Sequence, residues 1–337
     1  MAMEGTIMKY AVVWNYGHLS HAGSKAPSDA IAFLLEDGYR PIVFHEIRVL
    51  KYFIFPFDFL RAYFSVERGS RVVFQFPVHS GSTFRVVLRL ASCLARKGVD
   101  RVALVHDVNF GRDFAGVRAE QNLRQLACFS SLIVHSTQME ELLRRNGCDI
   151  PCRVLGLFDY RADALNVKPR VNAPEVVFAG NLSKSAFLRK LGGAVSGSLH
   201  FNLYGAGGES LPEIEGVSYK GKFTPDDLSS LEGSYGLVWD GDEIFRCSGP
   251  FGEYLKYNSP HKASLYVCAG LPLIVPSGSA VADIVTSSGI GLAVDSLESL
   301  QKTLSGVSDA RYSAMKAACK AYASRLLQGG SLRDSLK

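Results

Sequence analysis

The sequence predicts an α/β protein made of two tandem Rossmann-like domains facing a central cleft. Three observations carry this. Short runs rich in Val, Ile and Phe alternate with helix-patterned stretches, as strands of a parallel sheet buried on both faces should. The alternation is interrupted by a polar, proline-bearing stretch at 161–174 and then starts again. At 337 residues the chain is too long for one ordinary α/β unit and comfortable for two.

In the first half the strand candidates are 8–15, 40–46, 71–77, 101–108, 130–136 and 151–159. Helical patterns fill the intervals at 27–36, 49–65, 84–97, 116–128 and 137–146, the last closed by Gly147. The second half repeats the scheme. Strands are expected at 175–181, 199–204, 217–220, 235–239, 271–275 and 291–294, with helices at 185–194, 225–232, 260–269, 280–286 and 297–304. The expected organisation is an N-terminal domain over 1–160, a linker over 161–174 and a C-terminal domain over 175–308. A last helical segment, 309–337, is expected to pack back across the domain pair.

Composition narrows the class. Apolar residues make up 47% and charged residues 20%, which suits a folded chain rather than a disordered one. A formal charge of +5 is mild and fits a phosphate-bearing ligand or an anionic surface. No zinc-finger, helix-turn-helix or RNP pattern is present, so nucleic acid is not an expected partner. The seven cysteines are scattered, and only Cys148 and Cys152 lie close together. A reducing, cytoplasmic setting is therefore expected. No signal-peptide pattern opens the sequence and no apolar run is long enough for a transmembrane helix.

The candidate site centres on 235–278. A strand ends in Asp240-Gly241-Asp242, a polar Gly-rich loop follows, and Asn258-Ser259-Pro260-His261-Lys262 opens a helix. Ligands of open α/β sheets sit at the C-terminal strand ends, and a helix N-terminus beside a lysine suits phosphate. Gly180, Asn181 and Lys184, after the first strand of the second domain, form a second candidate cradle. Two such cradles on neighbouring strand ends can hold one pyrophosphate. Tyr204, at the end of the next strand, is a candidate to flank a nucleobase or ribose, and Asp283 to accept from ribose hydroxyls. Each of these residue types is more often structural when taken alone. Asp240 and Asp242 are read as contacts to sugar hydroxyls or as loop-shaping residues. A metal shared between them is the lesser reading, so no metal is expected.

The first domain offers a long polar turn after its first strand, including Gly23, Ser24 and Lys25. It lacks the G-x-G-x-x-G of dinucleotide-binding domains and suits acceptor or sugar contacts. Gln75 and His106-Asp107 end two further strands. A carboxylate beside an imidazole at a strand end is general-base material, with Asp107 favoured as base. The plainer reading has Asp107 capping the next segment and His106 packing beneath it. The stretch 46–71 is dense in aromatics interleaved with Arg48, Lys51, Arg61, Arg68 and Arg71. It fits equally a segment lying in an anionic lipid surface and a core helix with a charged outer face.

FAGNLSK at 178–184, YGLVWDGD at 235–242, CSGPFGEYLKYNSPHKASLY at 247–266 and LPLIV at 271–275 resemble bacterial galactofuranosyltransferases of the β-1,6 type. The wider group includes glucosyltransferases that extend O-glycans on serine-rich-repeat adhesins. AGSKAPSDA at 22–30, VVFQFPV at 72–78, LVHDV at 104–108 and GSLRDSLK at 330–337 extend the resemblance over nearly the whole chain. Asn258-Ser259 departs mildly from the Asn-Asn or Cys-Ser of the family. The resemblance implies a GT-B fold, a UDP-sugar donor held by the C-terminal domain, no metal or other cofactor, and frequent self-association. It puts the pyrophosphate near Lys184 and 258–262, the donor sugar near 240–256 with Lys256, and the acceptor near Gly23–Lys25 and His106-Asp107. It leaves the catalytic base open. The expected activity is metal-independent, inverting transfer of a hexose, galactofuranose first, to a sugar hydroxyl of a cell-surface glycan precursor, lipid-linked or free. A UDP-glucose-type transferase and a non-catalytic sugar-binding partner of a glycosylation complex are the alternatives.

Overall fold

The computed structural model describes residues 7–15, 25–45, 51–77, 81–108, 117–162 and 171–337. Gly23 and Ser24, residues 46–50 of the aromatic stretch, and 163–170 of the expected linker lie outside them. The chain divides into two compact units, Met1–His135 with Met139–Val154, and Ser136–Gln138 with Leu155–Lys337.

In the first unit β1 (Lys9–Asn15), α1 (Lys25–Glu36), β2 (Arg40–His45), α2 (Lys51–Ser65), β3 (Arg71–Phe76) and α3 (Gly81–Ala95) alternate strictly. β4 (Asp100–Val105), α4 (Val117–Leu126), β5 (Ser131–Val134), α5 (Thr137–Arg145) and β6 (Cys152–Val154) continue the pattern. The strands form one sheet in the order β2-β1-β3-β4-β5-β6, every described pair parallel. Val72, Val73, Phe74 and Phe76 of β3 are fully buried, as a central strand covered on both faces requires. The strand expected over 151–159 is confined to β6. Gly156 takes φ +79°, a left-handed conformation that turns the chain away.

The second unit has the same plan. β7 (Glu175–Ala179), β8 (His200–Tyr204), β9 (Val217–Tyr219) and β10 (Tyr235–Leu237) are followed by α6 (Gly249–Tyr254), α7 (His261–Cys268), β11 (Leu273–Pro276), α8 (Ala282–Ser287), β12 (Gly291–Val294) and α9 (Leu300–Ser305). Its sheet runs β12-β11-β10-β7-β8-β9, again parallel. α10 (Asp309–Leu326) and α11 (Gly330–Ser335) end the chain. Cys319, Ala323 and Leu326 of α10 join Leu157, Tyr160 and the inner face of α7 in one buried cluster. Residues 155–160, read from the sequence as part of the first domain, thus pack in the second unit.

Two expected helices are short 3₁₀ segments. In 225–232 only Leu228–Ser230 is helical, because Asp227 Oδ1 accepts from both the backbone N–H and the hydroxyl of Ser229, a local bond that competes with the helix ladder. In 185–194 the 3₁₀ run is Ala186–Gly193. A Cβ on Gly193 would come within 2.8 Å of Ile244, so glycine serves close packing there at the expense of helix propensity. Conversely, α6 lies where a polar loop is expected. Pro250 in its first turn follows Ser248 at the N-cap position, a start signal that the glycines around it obscure.

Candidate functional site

The strand order of the second unit reverses between β7 and β10: the chain builds outward through β8 and β9, then returns to the other side of β7. In such sheets the C-terminal strand ends at the reversal are where ligands bind. β7 ends in Phe178-Ala179 and runs into Gly180, β10 runs on to Trp239-Asp240, and α7 begins beside them. Tyr266 fastens this helix. Its ring lies over Gly236, where an added Cβ would come within 2.3 Å, and its hydroxyl accepts the N–H of Ala179 at 2.7 Å. No side chain caps the N-terminus of α7, and Pro260 occupies the N-cap position.

Lys262, in the first turn of α7, reaches into this edge. Its ammonium donates to the carbonyl of Trp239 at 3.3 Å and lies 4.3 Å from the centre of the Phe178 ring. Burial pulls its pKa below the ordinary lysine range; the charge of Asp240 acts the other way. Burial likewise pushes the Cys247 thiol up to about 12, so at neutral pH it carries no charge. A desolvated ammonium at a helix N-terminus favours an incoming polyanion on both counts.

The second cradle is built from facing turns. Gly180 N–H donates to Tyr204 O at 3.0 Å and Leu182 N–H to Ala206 O at 2.9 Å. Gly205, at φ +136°, sits so close that an added Cβ would meet Gly180 O at 1.8 Å. Asn181 precedes a short 3₁₀ turn, Leu182–Lys184, and both Asn181 and Lys184 are exposed beside this glycine pair.

The loop after β10 folds back on itself. Asp240 Oδ1 accepts the N–H of Gly241 at 2.9 Å, and Gly241 and Gly249 pack against Ser248 and Asp242. Asp240 is half-buried beside Lys262, whereas Asp242 is exposed. Lys256 is exposed and ion-paired to Glu253. Asn258 Oδ1 is buried with no hydrogen-bond partner among the described residues, which leaves an acceptor at this edge. Ser259 is buried directly before α7. The ring of His261 stacks on Tyr160 at 4.8 Å, with Nε2 3.4 Å from Asp159 O, so it packs the helix start against residues 158–160. Asp283 lies exposed in the first turn of α8. Tyr204 is built into the core: its ring meets Phe223 edge-on at 6.4 Å and its hydroxyl accepts the N–H of Glu232 at 2.9 Å. Lys262, Asp240, Gly180 and Trp239 thus share one edge, while Tyr204 belongs to the packing behind it.

In the first unit His106-Asp107 directly follows β4, and His106 Nε2 bonds to Gln75 Oε1 of β3. Lys25 opens α1 and is ion-paired with Asp29 at 2.7 Å. Among the described residues no three or more His, Cys, Asp or Glu side chains are grouped to hold a metal ion.

Sequence reasoning missed three contributors. Tyr266 looks like one more apolar residue of a core helix, and only the glycine opposite it on β10 hints at its role. Gly207 joins Gly205 in the other half of the cradle, and a glycine pair after a strand is a readable signal. Asp159 carries no local motif; its partners stand at the far end of the chain.

Residues 9–157 match the family model of the glucosyltransferase 3-like N-terminal domain, and 176–337 that of its C-terminal domain. The β-1,6-galactofuranosyltransferase WbbI of Escherichia coli K12 is 28% identical over 280 residues, 81% of this chain and 79% of that protein. Glucosyltransferase 3 of Streptococcus gordonii is 28% identical over 272 residues, 79% and 77% of the two chains. Among solved structures, Anabaena Alr3699/HepE, in complex with UDP and glucose, superposes with a TM-score of 0.60 at 12% identity over 98% of this chain and 97% of its own. The two parallel Rossmann-like sheets are those of a GT-B enzyme, and the chain belongs to the glucosyltransferase 3-like family of glycosyltransferases.

Proposed function

We propose that the protein transfers a hexose from a UDP-sugar to a sugar hydroxyl, with inversion and without a metal. The buried ammonium of Lys262 at the start of α7, where the strand order of the second sheet reverses, carries this reading. Lys262, Lys184 and the first N–H groups of α7 take the charge that builds on the leaving diphosphate. Fixed charges of this kind act most strongly where burial has removed water. The turn at Gly180, packed on Gly205 and with open space where a Cβ would stand, lets backbone approach the pyrophosphate closely. Asp240 and Asp242 meet hydroxyls of the donor sugar. On the acceptor side, with Lys25, Asp107 takes the proton of the attacking hydroxyl and His106 steadies it.

Galactofuranose is proposed as the transferred sugar, in line with the Escherichia coli relative. A second reading, glucose, is favoured by the description of the family models and by the streptococcal relative. The proposal includes a surface-glycan precursor as acceptor, self-association and a cytoplasmic location. All seven cysteines are unbridged, in keeping with a reducing compartment. Release of UDP from UDP-galactofuranose, measured beside UDP-glucose with a common acceptor mixture, tests the reading. Faster turnover of UDP-galactofuranose supports it, faster turnover of UDP-glucose selects the second reading, and release from neither overturns both.

A further inference from the structure

We propose that the outer faces of α2 and α3 form a docking surface for an anionic lipid bilayer. α2 carries apolar residues on both sides. Its inner side buries Phe55, Asp58 and Ala62. Asp58 is held there by the backbone N–H of His45 at 2.8 Å, by His45 Nδ1 and by Arg61 at 3.2 Å. These contacts fix which face of the helix looks outward.

The outward face is aromatic. Phe53, Phe57, Leu60 and Phe64 follow each other at helical spacing and are 71%, 74%, 50% and 74% exposed, with Tyr52 beside them at 62%. Helix positions that face water normally carry polar side chains, and a contiguous exposed apolar row marks a binding surface. The only acid in α2 is the buried Asp58.

α3 packs alongside α2. Lys97, just after α3, donates to Tyr63 O and Val66 O, both at 2.6 Å, and ties the two helix ends together. On the outward side of α3 and its end, Arg85, Arg89 and Arg96 are exposed at the spacing of one helix face. None of the three has an acidic partner among the described residues. An aromatic row beside an arginine row suits the interface of a bilayer, with rings at the level of the headgroups and guanidinium groups on lipid phosphates. Neither α2 nor α3 offers an exposed acid to face the arginines of a second copy, which disfavours that occupant. No helix among the described residues is long and apolar enough to cross a membrane, so the contact is peripheral. It rests on this surface alone and is independent of the proposed donor.

The test is co-sedimentation of the full chain with vesicles of phosphatidylglycerol and phosphatidylcholine, beside vesicles of phosphatidylcholine alone. The protein should pellet with the anionic vesicles and far less with the neutral ones, and added salt should release it. Replacing Arg85→Gln or Arg89→Gln should weaken binding on the order of fivefold each. Phe57→Ser with Phe64→Ser should abolish it while leaving the melting curve and donor binding unchanged, since both rings are exposed. Wild-type protein that stays in the supernatant with anionic vesicles would overturn the proposal. So would equal pelleting of the double phenylalanine variant, or a dimer in light scattering that this variant breaks without any vesicle binding by the parent.

Discussion

The carboxylate of Asp159 accepts the backbone N–H of Ser331 at 2.9 Å, and its second oxygen accepts that of Leu332 at 2.7 Å. One buried side chain thereby holds α11 to the segment on which His261 stacks. Burial raises its pKa to about 6, against the lowering pull of these two N–H groups and of Arg325 and Arg333.

That shift makes stability depend on pH in a direction that can be worked out. The folded form holds its proton up to about pH 6, whereas the unfolded chain releases it near pH 4. In between, the native state binds more protons, so the contribution is full below about pH 4 and is lost as pH rises through about 6. The difference in unfolding free energy between wild type and Asp159→Asn should therefore change by up to about 3 kcal/mol across that window. Urea melts at a series of pH values measure it. A pH-independent difference would show that the carboxylate titrates normally.

Gly205→Ala should destabilise the protein, because its φ of +136° is strained for alanine and the new Cβ would collide with Gly180 O. A loss of about 2–3 kcal/mol is expected, read as a lower denaturation midpoint. Because the collision falls on the cradle turn, affinity for UDP should drop as well.

Tyr266→Phe keeps the ring over Gly236 but removes the acceptor of the Ala179 N–H. An orphaned buried donor costs about 1–3 kcal/mol. Weaker UDP binding together with a lower melting temperature is the expected result, since the same hydroxyl fastens α7 to the end of β7.

Asp107→Asn separates chemistry from binding. As the proposed base it should lower kcat on the order of 10²–10⁴-fold while the calorimetric affinity for UDP stays at the wild-type value. Unchanged kcat would remove Asp107 from the mechanism.

Much of this was legible before folding, and the exceptions have physical causes. Buried parallel strands such as Val72–Phe76 announce themselves because both faces must be apolar. The Lys262 position is legible as a cation at a helix start after a strand. Its depth is not: a lysine stem can lie along apolar surface or extend into water, and the ring of Phe178 that receives it stands far off in sequence. Tyr204 misleads for a related reason. A tyrosine at a strand end can face a ligand, but here Glu232 N–H takes up its hydroxyl. The stretch 46–71 suits both readings because α2 is apolar inside and out.

The most direct test of the diphosphate cradle is calorimetric titration of UDP into wild type and Lys262→Ala, with turnover of the donor measured on the same preparations. The ammonium donates only to a carbonyl at 3.3 Å and has no ion pair within 4 Å among the described residues, so the variant should stay folded. It should bind UDP at least tenfold more weakly and transfer on the order of 10²–10³ more slowly. Because burial already lowers the lysine pKa, wild-type affinity should also fall at alkaline pH earlier than for a solvated lysine. A Lys262→Ala protein that binds UDP and turns over the donor as wild type does would contradict the account.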